Sequence, residues 1–144
     1  MRYTRLSALA ITLVVIASCS RPPRVEDKSA SPETRIQQIP AADPQKYAGV
    51  RDMKNWRNPY LIIRADGVAL FDAADHEEHL LKPEELTPAL AKLPPSAWPY
   101  GRVVAATENG VRAAGDDARI RKNRGIVAGT LESMHVVINW VPSA

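Results

Sequence analysis

Tyr60-Leu-Ile-Ile-Arg-Ala-Asp-Gly-Val-Ala-Leu-Phe71 is the stretch whose reading decides the fold. Side chains alternate along an extended chain, so Leu61 and Ile63 share one face of a strand, and Val68 and Leu70 share one face of the next. Asp66-Gly67 between them tolerates the positive φ angles that a type I′ turn requires, and a β-hairpin closed by that tight turn is expected.

Residues 72–79, Asp-Ala-Ala-Asp-His-Glu-Glu-His, follow the hairpin and are the one cluster with ligand chemistry. One reading is a solvated acidic loop that leads into the next helix. The other is a divalent cation held by His76 and His79 with Asp72, Asp75, Glu77 and Glu78, since imidazole and carboxylate suit zinc, nickel or copper. His76 and His79 stand three apart. A zincin pattern needs its histidines four apart, one helical turn, with a glutamate poised as base.

Lys82-Pro83-Glu84-Glu85-Leu86 opens a helix, because proline suits a first turn and acids complement the positive end of the helix dipole. Leu86, Leu90 and Leu93 line one side of it, and Pro94-Pro95 ends it. Residues 102–107, Arg-Val-Val-Ala-Ala-Thr, read as a buried strand closed by Asn109-Gly110. Trp98 and Tyr100, in a proline-rich loop, either form an exposed aromatic ledge for a ligand or cover the end of the core. A last helix is expected from Asp117 to Met134 with Asp116 as its cap, followed by a strand over His135 to Trp140 that Pro142 ends. Arg119, Arg121, Lys122 and Arg124 crowd the first half of that helix. Such a run is either a solvated face or a contact for an anionic polymer or lipid headgroups. Gly125 and Gly129 cost helix propensity, and they point either to close approach to the sheet or a partner helix or to a kink.

Upstream of the hairpin, Tyr47, Val50, Met53 and Trp56 recur every three residues and predict a short helix that stops before Asn58-Pro59. Ser20 to about Gln45 holds Pro22, Pro23, Pro32, Pro40 and Pro44 but few large apolar residues. It reads as a partly extended tether that cannot bury enough surface to offset its ordering entropy. The expected fold class is therefore α+β: a small sheet of about four strands, a β-hairpin followed by α-β-α-β, with helices packed on one face and a disordered tether in front.

Leu6 to Ser18 is an uncharged run of thirteen residues behind Arg2 and Arg5. A spanning helix needs about 20 apolar residues, so the run has the length of a signal h-region instead. Its end, Ile16-Ala17-Ser18-Cys19, resembles the lipobox of bacterial lipoproteins. The resemblance implies a signal peptide over 1–18, removed after Cys19 takes a diacylglyceryl group. It implies a lipidated terminus and linker over 19–46 and an extracytoplasmic domain over 47–144. Diacylglyceryl and acyl (palmitate) chains on Cys19 would be the only non-protein groups, and two chains anchor a protein stably without spanning the membrane. Cys19 is the single cysteine, so no internal disulfide forms. The formal charge of the whole chain is +3. Without Arg2 and Arg5 the 19 basic side chains become 17 against 16 acidic ones, which gives no reason to expect nucleic-acid binding. Ser20 after the cysteine is not the aspartate that retains lipoproteins at the inner membrane of enteric bacteria, so the outer membrane is the expected address where a cell has one.

The segment from Tyr60 to about Val141 is similar to the periplasmic domain of the ExbD/TolR biopolymer-transport family. The likeness rests on the apolar strand ending in Ala65-Asp66-Gly67, the helix with Pro83-Glu84-Glu85-Leu86, the strand Val103-Val104-Ala105-Ala106, and the final helix and strand. It implies a non-enzymatic module that dimerises and meets partner proteins or peptidoglycan. The family's transmembrane helix carries a proton-handling aspartate, whereas Leu6 to Ser18 holds no acid. Two function classes follow. The preferred one is a lipid-anchored envelope module for a protein partner or cell-wall polymer, with Arg119, Arg121, Lys122, Arg124, Trp98 and Tyr100 as its contacts, an exposed strand edge as a further one, and homodimerisation left open. The alternative is a small metal-binding or metal-dependent envelope protein that uses residues 72–79. No glycine-rich phosphate loop and no nucleophile-elbow serine occurs.

Overall fold

The computed structural model describes residues 30–71 and 77–142. They form an α+β domain on one mixed sheet of five strands in the order β3-β2-β1-β4-β5. The strands are β1 (Tyr60–Ile63), β2 (Val68–Phe71), β3 (Glu78–Leu81), β4 (Val103–Glu108) and β5 (Val137–Trp140). The helices are α1 (Pro32–Gln37), α2 (Pro44–Tyr47), α3 (Leu86–Lys92) and α4 (Asp116–Ser133). β1 and β2, and β2 and β3, pair antiparallel, while β1 and β4, and β4 and β5, pair parallel. Parallel neighbours need a crossover. α3 precedes β4, and α4 joins β4 to β5.

The register sets the core. Leu61 stands opposite Leu70 and Ile63 opposite Val68, which places all four on one face with Val104 and Ala106 of β4. Leu86 and Leu90 of α3 and Ile120, Val127 and Leu131 of α4 bury against that face. Tyr60, Val103 and Ala105 point to the other face and pack with Trp56. β4 is thus covered on both sides, which is why Val103 to Ala106 is an unbroken apolar run.

The segment expected as a tether joins the fold from Ser31 onward. Ser31 Oγ accepts from the Thr34 N–H at 3.3 Å, Pro32 occupies the first turn of α1, and Ile36 is fully buried in the main core. Complete burial of one isoleucine contributes about 2 kcal/mol, and α1 packs on α3. Residues 19–29 of the expected linker lie outside the described residues.

The helix expected over Tyr47 to Arg57 is not formed. After α2 the chain runs through turns, with the Asp52 carboxylate accepting from the Asn55 backbone N–H at 2.9 Å in place of a helical ladder. Trp56 still buries, whereas Met53 is exposed. Asn58 fixes the approach to β1: its Nδ2 donates to the Gly101 and Val103 carbonyls at 2.8 and 2.7 Å, and its Oδ1 accepts from the Tyr100 N–H at 2.9 Å.

The hairpin forms, but not through a type I′ turn. Four residues, Arg64 to Gly67, separate the paired Ile63 and Val68, and Gly67 has no positive φ. Gly67 serves a close approach instead, because a Cβ there would overlap the Leu81 carbonyl oxygen of β3. The fifth strand, β3, begins inside the stretch expected as a loop, and its edge carries Glu78 and His79. Glu78 pairs with Arg64 across the hairpin end.

α4 starts one residue earlier than expected. Its N-cap is Gly115 at φ 87°, and the Asp116 carboxylate accepts from the Ala113 N–H at 2.7 Å. The helix ends in a Schellman motif: His135 takes φ 57°, its N–H reaches the Glu132 carbonyl, and the Val136 N–H reaches the Leu131 carbonyl, each at 2.9 Å. β5 therefore begins at Val137 rather than at His135. The close approach expected at Gly125 and Gly129 is absent, since a Cβ at either position would meet nothing within 4 Å.

Candidate interaction surface

The four cations of α4 divide into two kinds. Arg119 pairs with Asp116 at 2.7 Å. Arg124 pairs with Glu108 at 2.9 Å and also lies over the Trp140 ring, 4.4 Å from its centre. Glu108 is shared, because Arg112 reaches it at 2.7 Å while holding Asp117 at 2.7 Å. The Asp117 hydrogen bond keeps the Arg112 guanidinium charged beyond its ordinary range, with Glu108 adding to it. Arg121 and Lys122 are exposed and have no ion-pair partner among the described residues. The basic run is therefore half an internal network and half a solvated pair.

The aromatic ledge does not exist as such. Trp98 is buried in the main core, where its indole N–H finds no hydrogen-bond partner among the described residues. Tyr100 is half-buried and stacks edge-on with Trp56 at 5.2 Å and near Tyr47 at 6.1 Å. Both residues close the core, the second of the two roles open to them from the sequence. A proline-rich loop gives no sign of which way its rings turn.

His79 lies exposed on β3. Asp72, Asp75 and His76 lie outside the described residues, as does Cys19. Among the described residues no three His, Cys, Asp or Glu side chains stand together as a metal site. No helix of the described residues is long and apolar enough to cross a membrane.

The exposed strand edge expected beside the basic helix face is the outer edge of β5. Among the described residues β5 pairs only with β4, and Val137 and Trp140 are 45% and 40% exposed. The strand carries no charge, and Pro142 follows it. At its C-terminal end stand Trp140 and Arg124, and at its start the Val137 N–H binds the Arg102 carbonyl at 3.0 Å. Natural sheets usually blunt an edge with charge or proline, as the charged residues of β3 do at the opposite side. An uncharged edge strand with aromatic and aliphatic side chains is able to accept a further strand. Its one prior signal was the apolar composition of residues 136–140 next to a terminal proline.

No family model, no curated protein and no solved structure matches this chain.

Proposed function

We propose that this chain is a lipid-anchored cell-envelope protein whose α+β domain acts as a non-enzymatic interaction module for a protein partner or cell-wall polymer. The observation that carries the module is the uncharged outer edge of β5, unpaired among the described residues, beside the cations of α4. The anchor rests on the pattern Arg2, Arg5, the apolar run Leu6 to Ser18, and Cys19. The domain is offered as a relative in architecture of the ExbD/TolR periplasmic module, without the aspartate that would couple it to protons. It faces the periplasm, at the outer membrane where the cell has one.

Mass spectrometry of the mature protein tests the anchor: the expected amino terminus is Cys19 carrying diacylglyceryl and acyl groups. A full-length chain with an unmodified thiol would remove it. Pulldown from crosslinked envelopes tests the module. Wild type should retain partners that an Arg121→Glu/Lys122→Glu/Arg124→Glu chain loses, and an identical partner set would count against the basic face.

A further inference from the structure

We infer that Asn109 and Gly110 form a self-modifying site: the pair closes to a cyclic imide that water opens mainly to isoaspartate, with Arg112 directing the opening. The chemistry stands apart from the envelope reading and needs no reactant beyond water.

The sequence supplies the pair and the fold leaves it open. Of the five asparagines in the chain only Asn109 is followed by glycine, whose missing Cβ lets its nitrogen approach the neighbouring carboxamide. Asn109 closes β4, and its N–H donates to the Ile63 carbonyl at 2.9 Å. Residues 110–115 beyond it are exposed and form neither helix nor strand. The Gly110 N–H has no hydrogen-bond partner among the described residues. Asn109 Nδ2 donates to the Val111 carbonyl at 2.8 Å, which keeps the carboxamide beside the main chain of residues 110 and 111. That bond is exposed, and having to break it slows the reaction by about fivefold. The other asparagines lack this freedom. Asn58 is buried ahead of Pro59, whose nitrogen carries no hydrogen, Asn123 lies within α4, Asn139 lies in β5, and Asp52 holds Asn55.

The Gly110 nitrogen gives up its proton and attacks Asn109 Cγ. A carbon–nitrogen bond forms there as ammonia leaves, so that one nitrogen now joins Cγ and the Asn109 main-chain carbonyl carbon in an imide ring. Water then opens one of the two ring carbonyls, and the structure treats them unequally. Arg112 Nε donates to the Asn109 main-chain carbonyl oxygen at 3.1 Å, while its two terminal nitrogens hold Asp117 and Glu108 at 2.7 Å each. A donor fixed on one carbonyl stabilises the negative charge that builds on that oxygen as water adds to its carbon. Addition there breaks the bond from the main-chain carbon to nitrogen, the water oxygen stays on the carbon, and the chain continues through Cγ. The product is isoaspartate. Its free carboxylate is the former main-chain carbonyl, already beside the Arg112 guanidinium and stabilised by a charge-assisted bond. One negative charge and one added main-chain atom then stand immediately after β4.

The test is peptide mass spectrometry of the full chain, incubated folded at mildly alkaline pH beside the same chain in guanidinium chloride. The tryptic fragment from Val103 to Arg112 reports the exchange of NH for O against the chain before incubation, and electron-transfer fragmentation tells isoaspartate from aspartate. The folded chain should convert Asn109 at a rate within about tenfold of the unfolded one. Asn58, Asn123 and Asn139 should stay intact in the folded chain, an internal control that needs no variant. The isoaspartate share should be larger in the folded chain than in the unfolded one, and Arg112→Gln should return it to the unfolded value. Gly110→Ala should slow the conversion in both states, since its methyl hinders ring closure. A folded chain in which Asn109 outlasts the unfolded one by more than about tenfold overturns the site. An isoaspartate share that neither folding nor Arg112→Gln moves overturns the directing role of Arg112.

Discussion

The guanidinium of Arg124 lies 4.4 Å from the centre of the Trp140 ring and so ties α4 to the end of β5. The same side chain binds Glu108 at the end of β4, so one residue joins three elements. A cation over an exposed indole contributes about 0.5 to 1 kcal/mol, and a half-exposed ion pair about as much or less, screened by salt. Arg124→Met should lower stability by about 1 kcal/mol. A double-mutant cycle with Trp140→Leu, followed by urea unfolding, should return a coupling near 0.5 kcal/mol. Additive single effects would mean that the stacked pair is energetically idle.

Asn58 should be among the least replaceable residues. It is buried and makes three hydrogen bonds to the backbone around Gly101. Asn58→Ala strands two carbonyls and one N–H, and should cost about 3 kcal/mol in denaturant titration. Asn58→Asp keeps the shape but turns a carboxylate toward two carbonyl oxygens. Its deficit should be smaller at pH 4 than at pH 7, where the buried group must ionise.

Gly67 and the glycines of α4 should respond in opposite directions to the same change. Gly67→Ala drives a methyl into the Leu81 carbonyl, a backbone atom that cannot rotate away, and should cost about 1 to 3 kcal/mol. Gly125→Ala and Gly129→Ala meet open space, so each should raise stability by about 0.5 to 1 kcal/mol through helix propensity. Thermal unfolding of the three variants separates the cases.

His135 holds a left-handed conformation at the end of α4. A side chain costs about 1 kcal/mol there relative to glycine. His135→Gly should therefore raise the midpoint of thermal unfolding, and a drop would show that the exposed imidazole makes a contact worth more than the strain.

The Asp116 carboxyl is held below its ordinary value of 3.8, first by the Ala113 N–H and then by Arg119. A depressed folded-state pKa adds stability above the unfolded value and loses it as pH falls through the folded one. The difference in stability between pH 7 and pH 2.5 should accordingly shrink in Asp116→Asn. An unchanged difference would mean that these bonds do not distinguish the folded from the unfolded chain.

The elements with strong local patterns were legible in the sequence. The hairpin followed from the alternation around Asp66-Gly67, α3 from Pro83-Glu84-Glu85 and its leucines, β4 from its apolar run, and α4 from Ile120, Val127 and Leu131. What was not legible depended on partners distant in the chain. Ile36 looks like a lone apolar residue in a tether until α3 covers it. Gly67 looks like a turn glycine until the Leu81 carbonyl arrives beside it. Trp98 and Tyr100 carry no mark of whether they face water.

The sequence by itself determined the α+β class, the chain order of most elements and the apolar stripe of each, because propensity and periodicity act over a few neighbouring residues. Only the tertiary structure decided that β3 completes a five-stranded sheet, that Arg119 and Arg124 are absorbed by Asp116 and Glu108, and that β5 stands at the rim of the sheet among the described residues. The physical reason is that strand order, ion pairing and exposure are set by contacts between segments tens of residues apart, which a local pattern does not encode.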